Sequence, residues 1–362
     1  MQLQQLSYFI AVAEVRHFTQ AAEALGVAQP SLSKQIRALE TELGASLFSR
    51  ARGNITLTPA GESLLPLAKR ILADVDTARL EVQELAGLRR GRVRLGATPS
   101  LCAGLLAEVL HRFHSAYPGI QLLVEEGGSR DLVRDVTRGS LDLALVILPL
   151  ADDTPLVTSP ILRENLVVVS PVNEALHSEG SAAPSPLLPR KPYLRITDLR
   201  NRPLVMFRQG YDLREATISA CRQAGFEPRF AVEGGEMDAV LRFVEVGLGI
   251  AVVPSMVLAG RPGLRGTPLI LDEPPGTPVP GDGPAVAAPL HRTGPPVAGT
   301  RRRGAPGLLR TVALAHRKDV APTHAARAFR ATLETFLAEA AEAGVLPPGV
   351  ESLIAPEGGF TA

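Results

Sequence analysis

The sequence predicts an α+β chain of several domains: a small helical domain closed by a β-hairpin, one long helix, and a larger two-lobed α/β domain. Three observations carry this reading. At 362 residues the chain exceeds one ordinary domain, which runs to about 100 to 200 residues. Residues 1–58 carry dense helical periodicity with few turn signals, whereas from Arg92 onward strand-like and helix-like segments alternate, as in parallel α/β folds. Between them, residues 59–90 read as a single helix.

The first helix places Leu6, Phe9, Ile10 and Ala13 on one face. Thr19 offers a hydroxyl for the N-cap of a second helix, Ala21, Ala22 and Leu25 continue its apolar face, and Gly26 supplies the left-handed residue that ends it. After a tight turn, Pro30 belongs in the first turn of a third helix, where its missing N–H costs nothing. Leu32, Ile36 and Leu39 then face inward, and Gln29, Ser33, Lys34 and Arg37 share an outward stripe. Amide, hydroxyl and cationic groups at the start of an exposed helix are what readout of base edges and phosphates in a major groove requires. The same stripe taken alone also describes a solvated helix face.

Residues 47–50 and 55–58 read as two short strands around the turn Arg52-Gly53-Asn54, forming a wing. Thr58 and Pro59 then open the long helix. In it Leu64, Ala68, Ile71, Val75, Ala78, Val82 and Leu85 alternate steps of four and three, a heptad seam that predicts self-association; docking onto the protein's own body is the alternative. Pro66 falls inside this helix.

Composition removes several function classes. The formal net charge of +1 does not announce a nucleic-acid partner, so the case for DNA rests on local geometry. Two cysteines exclude a disulfide scaffold and a four-cysteine zinc site. The seven histidines lack metal-ligand spacing, and there is no G-x-S-x-G elbow, phosphate loop or H-E-x-x-H. No metal, cofactor or catalytic residue is expected. Without a signal segment at Met1–Leu6 or a run of about 18 apolar residues, the expectation is a cytoplasmic protein with no membrane partner.

The residues Phe18, Thr19, Ala21-Ala22, Gln29-Pro30-Ser31-Leu32-Ser33-Lys34-Gln35-Ile36, Leu39-Glu40, Leu43-Gly44, Leu47-Phe48, Arg50 and Leu57-Thr58-Pro59-Ala60-Gly61 resemble the LysR-type transcriptional regulator family. The likeness is continuous over roughly residues 3–65, with Ala28 standing where the family often has Ser or Thr. It implies a winged helix-turn-helix that binds double-stranded DNA through Thr19, Gln29, Pro30, Ser31, Ser33, Lys34, Arg37, Arg50 and Arg52. A weaker likeness over residues 92–271 and 308–342 implies an effector-binding domain of two Rossmann-like lobes, similar to periplasmic binding proteins. The expected organisation is a DNA-binding domain over 1–58, a linker and dimerisation helix over 59–90, an effector-binding domain over 91–345 and a tail over 346–362. Lobe I takes about 91–162 and 268–345, lobe II about 163–267, with Pro-rich inserts at 178–192 and 272–307. The family implies a tetramer once effector domains also pair.

Ligands of parallel α/β sheets settle beyond the carboxyl ends of strands, where helix amino termini offer N–H donors. Thr98 and Ser100 follow the first strand of lobe I, Ser129 opens its second helix, and Arg208, Gln209, Tyr211 and Pro254 follow strands of lobe II. These are the expected effector contacts, facing a cleft that takes a small carboxylate. For the hydroxyls, simple helix capping is the competing reading. Cys102 and Cys221 read as small buried hydrophobes, without the nearby cysteine pair of peroxide-sensing relatives. Arg301-Arg302-Arg303 reads as a solvated charge run. Two rival functions stay open: a small-molecule-binding protein or an enzyme whose N-terminal helices serve only oligomerisation.

Overall fold

The computed structural model describes residues 1–49, 55–85, 91–151, 153–172, 193–271 and 308–354; both Pro-rich inserts and the 301–303 arginines lie outside them. The chain forms two compact units, one of residues 1–162, 311–346 and 351–362, the other of residues 163–310 and 347–350.

In the first unit, α1 (Leu3–Val15), α2 (Phe18–Ala24) and α3 (Gln29–Leu43) close on Leu6, Phe9, Val12, Ala21, Leu32, Ile36 and Leu39. All seven are at most 1% exposed, so the apolar spacing read from the sequence does form one core. Gly44 ends α3 in the left-handed conformation at φ 68°, where a side chain would be strained. The cap of α2 is His17 rather than the expected Thr19. Its backbone is extended and its Nδ1 accepts from the Gln20 N–H at 3.3 Å, which leaves Thr19 in the first turn. The wing strands β1 (Phe48–Ser49) and β2 (Thr56–Leu57) pair antiparallel, with Phe48 against the rings of Phe9 and Phe18.

The long helix α4 (Pro59–Leu85) is capped by Thr58, whose Oγ1 accepts from the Gly61 N–H at 3.1 Å. The expected seam divides. Ala68 is fully buried in the core of the helical domain, with Leu64 and Ile71 against it, so these three dock on the protein's own body. The step pattern could not separate the two uses because α1 covers the same face that a partner helix would. Beyond this contact, Ala78 and Val82 are exposed, and Leu67 lies open on an adjoining line.

After α4 come β3 (Arg92–Ala97), α5 (Pro99–Leu101), a π-helical turn (Cys102–Leu106) and α6 (Ala107–Ala116), then β4 (Gln121–Glu126), α7 (Ser129–Thr137) and β5 (Leu143–Leu148). β3 lies between β4 and β5, parallel to both. The strand β6 (Leu156–Pro171) is long, running on through the polar Arg163, Glu164 and Asn165, which interrupt its apolar pattern without ending it.

In the second unit, β6 is flanked antiparallel by β10 (Ala251–Pro254) and β11 (Leu264–Ile270), and β11 pairs parallel with β7 (Leu194–Arg195). β8 (Pro203–Met206) and β9 (Arg229–Glu233) pair parallel, and α8 (Asp212–Gln223) and α9 (Met237–Glu245) complete this unit, which runs on to Arg310. There Arg310 meets Glu164, a carboxylate with no exposed surface, through Nε at 2.7 Å and Nη2 at 2.5 Å.

β12 (Leu309–Arg317) brings the chain back to pair antiparallel with β5, and α10 (His324–Glu342) buries Phe329, Leu333 and Leu337, with Phe329 edge-on to Phe113. The expected tail is partly ordered strand: β13 (Val350–Ser352) pairs with β6. Within the first unit, α4 also meets the end of β12. Arg317, 8% exposed, contacts Asp74 at 2.5 Å and Asp319 at 3.0 Å, and Arg70 pairs with Asp319. The hydrogen bond from Arg317 holds the Asp319 carboxyl below its usual range. Gly139, at φ 73°, lies so close to α4 that a Cβ there would stand 3.1 Å from the Ala73 Cβ. Among the described residues no helix is long and apolar enough to cross a membrane.

Candidate functional site

The helix α3 is two-sided. Leu32, Ile36 and Leu39 have at most 1% of their surface exposed, which turns Gln29, Lys34 and Arg37 outward. Pro30 sits in the first turn, and backbone N–H groups of Ser31 and Leu32 bond to the Ala28 carbonyl, so the missing Ser or Thr at 28 leaves the helix start formed. Gln29 Nε2 donates to Ser33 Oγ at 2.9 Å along the exposed face of α3. Lys34 and Arg37 make no ion pair among the described residues. Thr19 and Ser31 are exposed near the starts of α2 and α3, whereas Arg50 and Arg52 lie outside the described residues. Sequence reasoning missed Glu40, whose carboxylate accepts from backbone N–H groups of Leu47 and Phe48.

The sensing candidates of each unit have distinct surroundings. In the first, Thr98 and Ser100 are buried, with hydroxyl oxygens 3.4 Å apart at the start of the helical stretch that holds the π turn. Ser129 Oγ accepts from the Ile147 N–H at 3.0 Å, tying α7 to β5, so this hydroxyl serves the fold. In the second unit Phe207 and Tyr211 stack at 5.4 Å, and the Arg208 guanidinium lies 4.8 Å from the Tyr211 ring centre. Arg208 is no lone cation: its Nε meets Glu236 Oε1 at 2.7 Å, across 28 residues of sequence. The Tyr211 hydroxyl is buried without a partner among the described residues. Gln209 is exposed and Pro254 is buried at the end of β10.

Residues 3–62 match the bacterial regulatory helix-turn-helix domain of the lysR family, and residues 86–279 match the LysR substrate binding domain. The chain belongs to the LysR family. As a LysR-type regulator it is a DNA-binding transcriptional regulator with an effector-binding domain. It is 36% identical over 260 residues to the transcriptional dual regulator GltC of Bacillus subtilis, covering 72% of this chain and 82% of that one. It is 34% identical over 253 residues to a probable hydrogen peroxide-inducible genes activator of Streptomyces viridosporus, covering 70% and 77%. Its fold is similar to a full-length OxyR variant of Pseudomonas aeruginosa, with a TM-score of 0.62, 23% identity and coverage of 92% and 95%. It is also similar to full-length CbnR in complex with its target DNA, with a TM-score of 0.60, 22% identity and coverage of 92% and 99%.

Thiolates are the form that oxidants attack, so the surroundings of the two thiols bear on their reactivity. Burial, with help from Glu126, pushes the Cys102 thiol up to about 11, and burial with help from Glu227 does the same for Cys221. Both stay protonated at neutral pH.

Proposed function

We propose that this LysR-type regulator reads its operator through Gln29, Ser33, Lys34 and Arg37 in the major groove, with Thr19, Pro30 and Ser31 at the helix starts and Arg50 and Arg52 of the wing on the phosphates. One observation carries the reading: an exposed amide and two cations without an ion pair among the described residues on α3, opposite a fully buried face. Gln29 can donate to and accept from the edge of adenine, while Lys34 and Arg37 can take guanine or phosphate. Duplexes selected from random sequence supply the probe. Gln29→Ala should cost about 1 to 3 kcal/mol on the selected site and relax preference at one base pair of each half-site. Equal binding of variant and wild type to selected and random duplexes would remove Gln29 from the readout.

The reading extends to control by a small carboxylate effector and to self-association through α4, in which effector domains that also pair give a tetramer. Thr98 and Ser100 would supply hydroxyls from lobe I, and Arg208, Gln209 and Tyr211 a cation and amphipathic groups from lobe II. The unpartnered Tyr211 hydroxyl and the ring-stacked Arg208 support this, with the carboxylate competing against Glu236 for the guanidinium. Ser129 and Pro254 would border the site. A thermal-shift titration with a panel of small mono- and dicarboxylates is the check. At least one acid should raise the wild-type melting temperature, and Ser100→Ala and Arg208→Gln should each blunt that rise. A panel without effect, or variants that respond as wild type does, would sink the carboxylate reading.

A further inference from the structure

Glu40 stands where its charge is least welcome. Steps of four, four and three from Gln29 lead through Ser33 and Arg37 to Glu40, on the same stripe that the proposed function turns toward phosphates. A carboxylate there repels DNA, so its presence needs a compensating task.

The hydrogen bonds supply one. Glu40 Oε1 accepts from the Leu47 N–H at 2.8 Å and from the Phe48 N–H at 3.3 Å. Phe48 begins β1, a strand of two residues whose ladder partners are confined to β2. The opposite side of Leu47 is held as well, because its carbonyl accepts from the Thr58 N–H at 3.0 Å. Thr58 Oγ1 donates to the Ser46 carbonyl at 2.6 Å, and Gly61 lies so near that a Cβ there would stand 2.2 Å from the Leu47 oxygen. The base of the wing is thus gripped from α3 on one side and from the start of α4 on the other.

We propose that Glu40 is a positioning residue for DNA binding: it brackets the wing to the last turns of α3, so that wing and helix meet one duplex as a rigid pair. This rests on the reading that α3 and the wing both face DNA. What the bracket needs is an acceptor oxygen, whereas the negative charge only opposes binding. Glutamine keeps the oxygen and removes the charge; alanine removes both.

The probe is sonicated random-sequence duplex DNA, with binding by the full chain measured across a salt series. Glu40→Gln should keep the wild-type slope of log affinity against log salt and bind at least as tightly. Glu40→Ala should lower the slope by about 1 per wing, the signature of a lost phosphate contact, while base preference on a selected site stays as in wild type. A melting curve establishes that each variant is folded at the assay temperature, and the glutamine result stands even if the alanine variant melts too low. The inference is overturned if Glu40→Gln weakens binding as alanine does, or if Glu40→Ala keeps the wild-type slope. Arg52→Ala separates the layers. A wild-type slope for it means that the wing does not meet DNA; a lowered slope beside an unchanged Glu40→Ala rejects the bracket alone.

Discussion

Arg310→Leu is expected to destabilise the second unit by about 3 to 5 kcal/mol. Glu164 has no exposed surface, and its Oε2 has no partner among the described residues, so Oε1 and the guanidinium hold all of its described compensation. Leucine fills the space and leaves a buried carboxylate without its partner among strands. Glu164→Leu together with Arg310→Leu should recover most of the loss, because a well-packed apolar pair can replace a buried ion pair. Scanning calorimetry of the full chain reads both variants. A single variant that stays within about 1 kcal/mol of wild type would mean that water reaches Glu164 after all.

Val82→Glu is expected to convert an assembled protein into a monomer. Within α4 the core claims Leu64, Ala68 and Ile71, so the residues left to a partner are Leu67, Val75, Ala78 and Val82, with Leu67 54% and Val82 67% exposed. A symmetric pair would bury the new carboxylate twice at its seam. Losing the second DNA-binding domain should weaken binding to a two-half-site duplex by about 100-fold or more, while a single half-site is bound as before. Sedimentation velocity gives the assembly state directly. If Val82→Glu sediments as wild type does, the distal part of α4 is not the seam.

What the sequence made legible followed from local periodicity. The two-sided helix α3, the left-handed Gly26 and strands β3 and β5 each depend on residues within a few positions of one another. What escaped depended on partners distant in sequence. Arg208 reads as an available cation until α9 brings Glu236 beside it. Glu40, legible only as part of a family motif, gains its task when the chain turns back and offers the N–H groups of Leu47 and Phe48. His17 escaped for a different reason: an imidazole nitrogen can accept from a helix N–H as a hydroxyl does, yet capping preferences point to Ser, Thr, Asp and Asn. The heptad on α4 was legible as apolar with two possible uses, and the fold gives its Leu64, Ala68 and Ile71 to the protein's own body.

The contact of α4 with the end of β12 sets terms for recombining such proteins. A chimera that joined residues 1–85 to the sensor of another relative would carry Arg70, Ala73 and Asp74 but leave Gly139, Arg317 and Asp319 behind. A donor sensor with any side chain in place of Gly139 would push against Ala73, and one lacking a cation at the end of its corresponding strand would leave Asp74 without its closest partner. The natural module for exchange is therefore not the helix with its DNA-binding domain. It is the helix together with the glycine and the two charged residues that receive it, so a working graft must transplant positions more than 200 residues apart as one set.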